Sequence, residues 1–116
     1  MKAENLEKAR TQMRRGVLEL CILSIIAEKE AYPSDIIQRL KEAKLIVVEG
    51  TLYPLLARLK NSGLLTYEWQ ESSSGPPRKY YHITPEGEEF LQALIGTWNH
   101  LVHAVDNSTK NIANNE

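Results

Sequence analysis

Between Gly50 and Ile83 the hydrophobic period of the chain changes within a few residues, and few architectures tolerate that change. Leu52, Leu55, Leu56 and Leu59 recur at i, i+3, i+4 and i+7, the spacing of one helical face. Asn61-Ser62-Gly63 stops that helix, with Gly63 suited to the left-handed position after a helix end. In LLTYEWQE, Leu65, Tyr67 and Trp69 then alternate with Thr66, Glu68 and Gln70, which predicts a strand with two unlike faces. SSSGPP reads as a turn-rich tip and RKYYHIT as a second strand, so the pair predicts a β-hairpin. A helix that stops directly onto a hairpin, in a chain of 116 residues, points to one small domain.

The flanks are helical. Residues 4 to about 29 read as one long helix, polar at first with Leu6, Ala9 and Met13 at helical spacing, then apolar nearly all round from Val17 to Ala27. Gly16 in its middle suggests a close packing contact. Pro33 suits the first turn of a second helix. Ile36, Ile37 and Leu40 form its inner face, and Asp35, Gln38, Arg39, Lys41 and Glu42 its wet face. KLIVV connects it to the third helix, which starts near Glu49. Thr84 caps the last helix, Pro85 takes its first position, and Glu86, Glu88 and Glu89 complement the positive end of its dipole. That helix is expected to run to about residue 105. The fold class is mainly α with a β-hairpin wing: a winged helix-turn-helix with a long N-terminal helix and a C-terminal dimerisation helix. The expected division is residues 1–84 for the first helix and winged module, 85–106 for the last helix, and 107–116 for a frayed polar tail.

Composition narrows the function by exclusion. At 42% hydrophobic and 25% charged residues the chain reads as an ordinary globular protein. Its single cysteine, Cys21, allows no internal disulfide and reads as a small buried hydrophobe, which suits a reducing cytoplasm. The run VLELCILSIIA is too short for a membrane span and is broken by Glu19. The charged N-terminus lacks a signal-peptide core, so a cytoplasmic location is expected. His100 and His103 lie one helical turn apart without a third ligand, so no metal is expected. No nucleophile–base pattern, phosphate-cradling glycine loop or carboxylate pair is present, so neither enzyme chemistry nor a cofactor is expected. Net charge is −1, unevenly spread: residues 1–32 carry +1, residues 33–82 carry +2, and residues 83–116 carry −4. The weakly basic middle permits a polyanionic partner.

Two surfaces carry the candidate function. If the leucines of the third helix face inward, then Gly50, Thr51, Tyr53, Pro54, Ala57 and Arg58 face outward. Small residues let a helix backbone approach a DNA groove. Thr51 and Tyr53 can donate to phosphates or touch thymine methyls, and Arg58 can reach phosphate or guanine. Pro54 lies inside the helix and weakens one helical bond. Arg78 and Lys79, leaving the hairpin tip, are placed to meet a phosphate backbone. The competing readings are a solvated amphipathic helix and a charged edge strand that blocks aggregation. In the last helix Leu91, Leu94, Trp98, Leu101 and Val105 follow a 3, 4, 3, 4 spacing, widened by Phe90, Ile95 and Val102. That seam has more apolar surface than one small domain covers, which predicts a homodimer. Trp98, in the middle of the seam, is either an interface anchor or a platform for a ligand.

EGTLYPLLARLKNSGLL followed by SSGPPRKYYHITPEG resembles the PadR family of bacterial transcriptional regulators. The resemblance covers about residues 17 to 90 and extends to the long first helix and single last helix of the family's short subfamily. It implies a homodimeric repressor on a pseudo-palindromic operator near its own promoter. It implies that Gly50, Thr51, Leu52, Tyr53 and Pro54 open the recognition helix and that Arg78 and Lys79 lie on the wing. It further implies dimerisation through the last and first helices. Some members bind flat aromatic compounds between subunits on a tryptophan whose place matches Trp98. Pro33-Ser34-Asp35 departs from the Gly-containing turn of many members. The reading from another class is a winged-helix protein–protein module that does not bind DNA.

Overall fold

In the computed structural model, which describes residues 2–113, the element order is α1 (Ala3–Glu28), α2 (Pro33–Glu42), α3 (Glu49–Asn61), β1 (Leu65–Ser72), β2 (Gly75–Ile83) and α4 (Pro85–Ala113). The chain is mainly helical with one antiparallel hairpin. Leu18, Ile22, Leu23 and Ile26 of α1 meet Ile36 and Leu40 of α2, Leu52, Leu56 and Leu59 of α3, Leu65 of β1 and Tyr81 of β2 in one core. Leu91 closes it from α4. Leu52, Leu56 and Leu59 are buried while Leu55 is half-buried, as a stripe three to four residues apart requires.

Local chemistry explains the junctions. Pro33 opens α2, and the Asp35 carboxylate accepts the Tyr32 backbone N–H at 3.0 Å, which holds the chain as it enters the helix. Gly63 stands at φ +81° directly after α3, where a side chain costs energy and glycine does not. Thr84 joins the hairpin to α4: its hydroxyl donates to the Gly63 carbonyl at 2.7 Å and accepts the Gly87 N–H at 2.9 Å. A Cβ at Gly87 would lie 2.1 Å from the Leu64 carbonyl oxygen, so only glycine lets α4 leave the hairpin at this angle. The hairpin is tied to the helical body by Ala31, which exchanges two backbone hydrogen bonds with Tyr81, at 3.2 and 2.9 Å.

Four expectations are corrected. The turn is tighter than SSSGPP suggested: Ser72 pairs with Gly75, the first residue of β2, so Pro76 and Pro77 lie within the strand and remove two donors from the outer end of the hairpin. The last helix does not stop near residue 105 but continues through Ala113. The frayed tail expected from residue 107 is thus helical as far as 113, and residues 114–116 lie outside the described residues. In that stretch the Ser108 and Thr109 hydroxyls each donate to the carbonyl four residues back, so polar residues are accommodated on the helix surface. Gly16 makes no close packing contact, since a Cβ there would meet open space. Leu91, expected in the dimer seam, is only 5% exposed and belongs to the core of its own chain.

The molecule measures 57 × 33 × 22 Å. The long axis reflects α1 and α4, whose 26 and 29 residues extend past the core as roughly 40 Å rods. Among the described residues no helix is long and apolar enough to cross a membrane.

Candidate nucleic-acid interface

Helix α3 has four sides, each with a different neighbourhood. At 3.6 residues per turn, Thr51 and Tyr53 are separated by about 200° around its axis. Leu52, Leu56 and Leu59 face the core. Thr51, Leu55 and Arg58 face α1, where they share a groove with Arg14 and Leu18. Glu49 and Tyr53 face the hairpin and share a cleft with Trp69, Pro77, Arg78 and Lys79. Gly50, Pro54 and Ala57 point away from the body and are exposed. The outward stripe therefore has no long side chain between its backbone and whatever approaches it. Pro54 supplies no N–H for the Gly50 carbonyl, so that acceptor is free to bond outside the helix.

The cleft between α3 and the wing has a volume of about 340 Å³, and Tyr32, Pro33 and Ser34 from the start of α2 complete its wall. Arg78 and Lys79 enter it in different ways. They are consecutive in β2 and so leave opposite faces of the hairpin. Arg78 pairs with Gln70 across the strands and its guanidinium stacks 3.9 Å from the Tyr32 ring centre. The Tyr32 hydroxyl donates to the Gln70 side-chain oxygen at 2.6 Å, and the Tyr80 ring packs 4.7 Å from Tyr32. Lys79 pairs with Trp69, and its ammonium sits 4.6 Å from the Tyr67 ring centre and 5.4 Å from that of Trp69. Neither cation has a carboxylate partner among the described residues; both rest on aromatic faces. Such a cation keeps its charge available to an anion while its side chain is already oriented.

Two tyrosines of β2, Tyr80 and Tyr81, are held in their neutral form. Burial pushes the Tyr81 phenol above its ordinary value, and Tyr67 and Tyr53 beside it add to the effect. Burial and then the Glu30 carboxylate move Tyr80 in the same direction. His82, on the Arg78 face, lies 3.7 Å from Glu30 and 3.5 Å from Glu68, tying the base of the wing to the segment between α1 and α2.

Arg58 is exposed, as its sequence position suggested, but it is not unpaired. Its guanidinium pairs with Glu19 of α1, on the opposite side of α3 from the wing. Of the residues singled out in the sequence, the structure thus gathers Tyr53, Arg78 and Lys79 into one cleft, sets Gly50 and Pro54 beside it, and places Thr51 and Arg58 on the other flank. Tyr32 was missed. It reads locally only as the residue before a helix-opening proline, and its partner Gln70 is 38 residues away.

The second candidate region lies between α1 and α4. A cavity of about 430 Å³ is lined by Met13, Gly16, Val17, Leu20, Leu94, Trp98, Leu101 and Val105, with Arg14 and Thr97 as its polar residues. Trp98 is 43% exposed, Leu101 51% and Val105 56%. Trp98 also borders a second cavity, of about 680 Å³, whose wall mixes Cys21, Ile25, Leu40 and Ile95 with the charged Glu28, Arg39 and Glu42. Burial pushes the Cys21 thiol up, so it is held protonated there.

Residues 22–93 match the model of the transcriptional regulator PadR-like family. The chain is 36% identical over 80 residues to a transcriptional regulator of Mycobacterium tuberculosis, covering 69% of this chain and 74% of that protein. Among solved structures it is similar to a PadR-like transcription factor from Bacteroides fragilis, at 58% identity and a TM-score of 0.74, covering 86% of this chain and 97% of that one. A PadR family transcriptional regulator from Eggerthella lenta superposes with a TM-score of 0.83 at 33% identity, covering 90% and 91%.

Proposed function

Because the chain belongs to the PadR-like family of transcriptional regulators, we propose that it is a homodimeric repressor that reads a pseudo-palindromic operator with α3 and grips the flanking backbone with its wing. The observation that carries this reading is the cleft beside α3, where Arg78 and Lys79 are held on aromatic rings next to an outward stripe of Gly50, Pro54 and Ala57. Such a stripe admits the helix backbone deep into a major groove, and Tyr53 and Thr51 on its two flanks are positioned to reach base edges or phosphates. The wing cations contribute sequence-independent affinity.

The stripe of half-buried Leu94 and exposed Trp98, Leu101 and Val105 supports dimerisation through α4 and α1. The exposed Trp98 ring, which borders the mostly apolar cavity between α1 and α4, supports a flat, apolar effector that stacks on it and changes the spacing of the two recognition helices. Its leverage on DNA affinity equals its differential affinity for the two dimer shapes. The net charge of −1 favours the second reading, a winged-helix protein–protein module.

A gel shift separates the two. The protein is titrated against the DNA immediately upstream of its own coding sequence and against a mixed-sequence duplex of equal length. A retained complex on the upstream DNA at salt that releases the mixed duplex is the expected result. No complex on either duplex at low salt would establish the protein–protein reading instead.

A further inference from the structure

We propose that Arg14 and Arg15 of α1 form a second phosphate clamp, on the flank of α3 opposite the wing. The inference rests on the DNA-binding reading above and adds a contact surface to it. A helix about 10–12 Å across in a major groove about 12 Å wide has a sugar-phosphate backbone on each side. The wing accounts for one side only. On the other side, Thr11, Arg14, Arg15 and Leu18 of α1 follow one helical stripe, and they face Thr51 and Leu55 of α3 across a groove of about 450 Å³. Leu18 is buried and anchors the stripe to the body. One turn earlier the same stripe has left the core and presents guanidinium groups instead.

The charges on this flank are not used up within the chain. Glu19 is taken by Arg58. Glu7 lies 3.0 Å from Arg10 and only 4.0 Å from Arg14, at exposed positions, where an ion pair is weak. Arg15 has no salt bridge among the described residues. The lip of the groove, Ile46 and Val48, is 76% and 66% exposed and directly precedes α3. Those side chains fit against the apolar faces of deoxyribose when a backbone lies in the groove. An anionic strand with apolar sugar faces complements this surface in both charge and polarity, and the strand is continuous with the duplex that α3 enters.

The test is fluorescence anisotropy on a labelled mixed-sequence duplex long enough to span two successive major grooves, read as log affinity against log salt. Phosphate binding is independent of sequence, so no operator is needed. The slope should fall by about 0.9 for each phosphate that is no longer neutralised, or about 1.8 per protomer for the Arg14→Gln/Arg15→Gln variant. Each single variant should show about half of that fall. Arg14→Lys/Arg15→Lys should return the parent slope, since a point charge serves a phosphate. Both arginines are exposed, and an unchanged melting temperature verifies that the fold is kept. An unchanged slope in the Gln variants, while Arg78→Gln lowers it, overturns the clamp and leaves the DNA reading intact. A parent chain that binds no duplex overturns both.

Discussion

The winged core and the projecting halves of α1 and α4 are built from similar residues and treat them differently. In the core, Ile22, Leu23, Ile36, Leu40, Leu52 and Leu56 are all fully buried; each has found partners within its own chain. Outside it, Met13 is 76% exposed, Leu101 51% and Val105 56%, although their spacing is as regular. Hydrophobic periodicity thus reports that a face is to be covered, not by which chain. On the homodimer proposed above, the contrast separates what one copy can do, which is to build the cleft beside α3, from what a second copy would add, which is to fix the distance between two such clefts.

Deleting the same three carbons in the two regions tests that separation most strongly. Leu56→Ala should lower stability by about 2–5 kcal/mol, the cost of a cavity in a packed core, seen as a fall in the urea midpoint at fixed protein concentration. Leu101→Ala should hardly move the folding of the protomer and should act through association. Leu101→Asp places an unpaired charge in the covered face. It should raise the dimer dissociation constant about a hundredfold, or about 3 kcal/mol, with the helical circular-dichroism signal kept. Sedimentation velocity reads the first effect. A Leu101→Asp chain that unfolds outright would show that the winged core does not stand alone.

The same contrast explains what could be read from the sequence. The winged topology was legible because its punctuation is local: Pro33 opens a helix, Gly63 closes one, and Thr84-Pro85 opens another. The outward position of Gly50, Tyr53 and Pro54 followed from the leucine period alone. The pairing of Arg58 did not, because its partner Glu19 lies 39 residues away on another helix. The sequence placed Arg78 and Lys79 at the hairpin tip. It did not reveal that they rest on Tyr32 and Tyr67, since those aromatic partners come from other elements. Leu91 and Leu101 share one heptad pattern, yet the first is core and the second exposed, because α4 leaves the body between them. The length of α4 was underestimated because NSTKNIA is polar all round, which leaves no period to read.

A smaller effect belongs to the wing. Tyr32→Ala removes the ring beneath Arg78 while leaving every cation in place. A cation–π contact of this kind contributes about 0.5–2 kcal/mol, so affinity for the upstream DNA should fall by a factor of roughly 2–30. Tyr32→Phe keeps the ring and removes only the bond to Gln70, so it should retain most of the affinity. If Tyr32→Ala binds as tightly as the parent at every salt concentration, the orientation of Arg78 by its aromatic seat has no part in recognition.

The smallest expected effect falls where the two regions meet. Trp98 borders two cavities, one shared with Leu40 and Ile95 of the body and one shared with Met13, Leu101 and Val105 of the projecting halves. An exposed ring where two cavities meet can serve as a platform. With Trp69→Phe, Trp98 is the only tryptophan left in the chain, and its fluorescence reports on this site alone. A planar aromatic dye should quench it, and at ten times its dissociation constant should stabilise the protein by about 1.4 kcal/mol. Upstream DNA should weaken the dye by the same factor that the dye weakens DNA, since coupling between two binding sites is reciprocal. Trp98→Ala should abolish the dye's stabilisation and leave the dimer intact in sedimentation. A Trp98→Ala chain that falls apart into monomers, together with no quenching across a panel of such dyes, would make Trp98 part of the covered face and join it to Leu101 and Val105 as a packing residue.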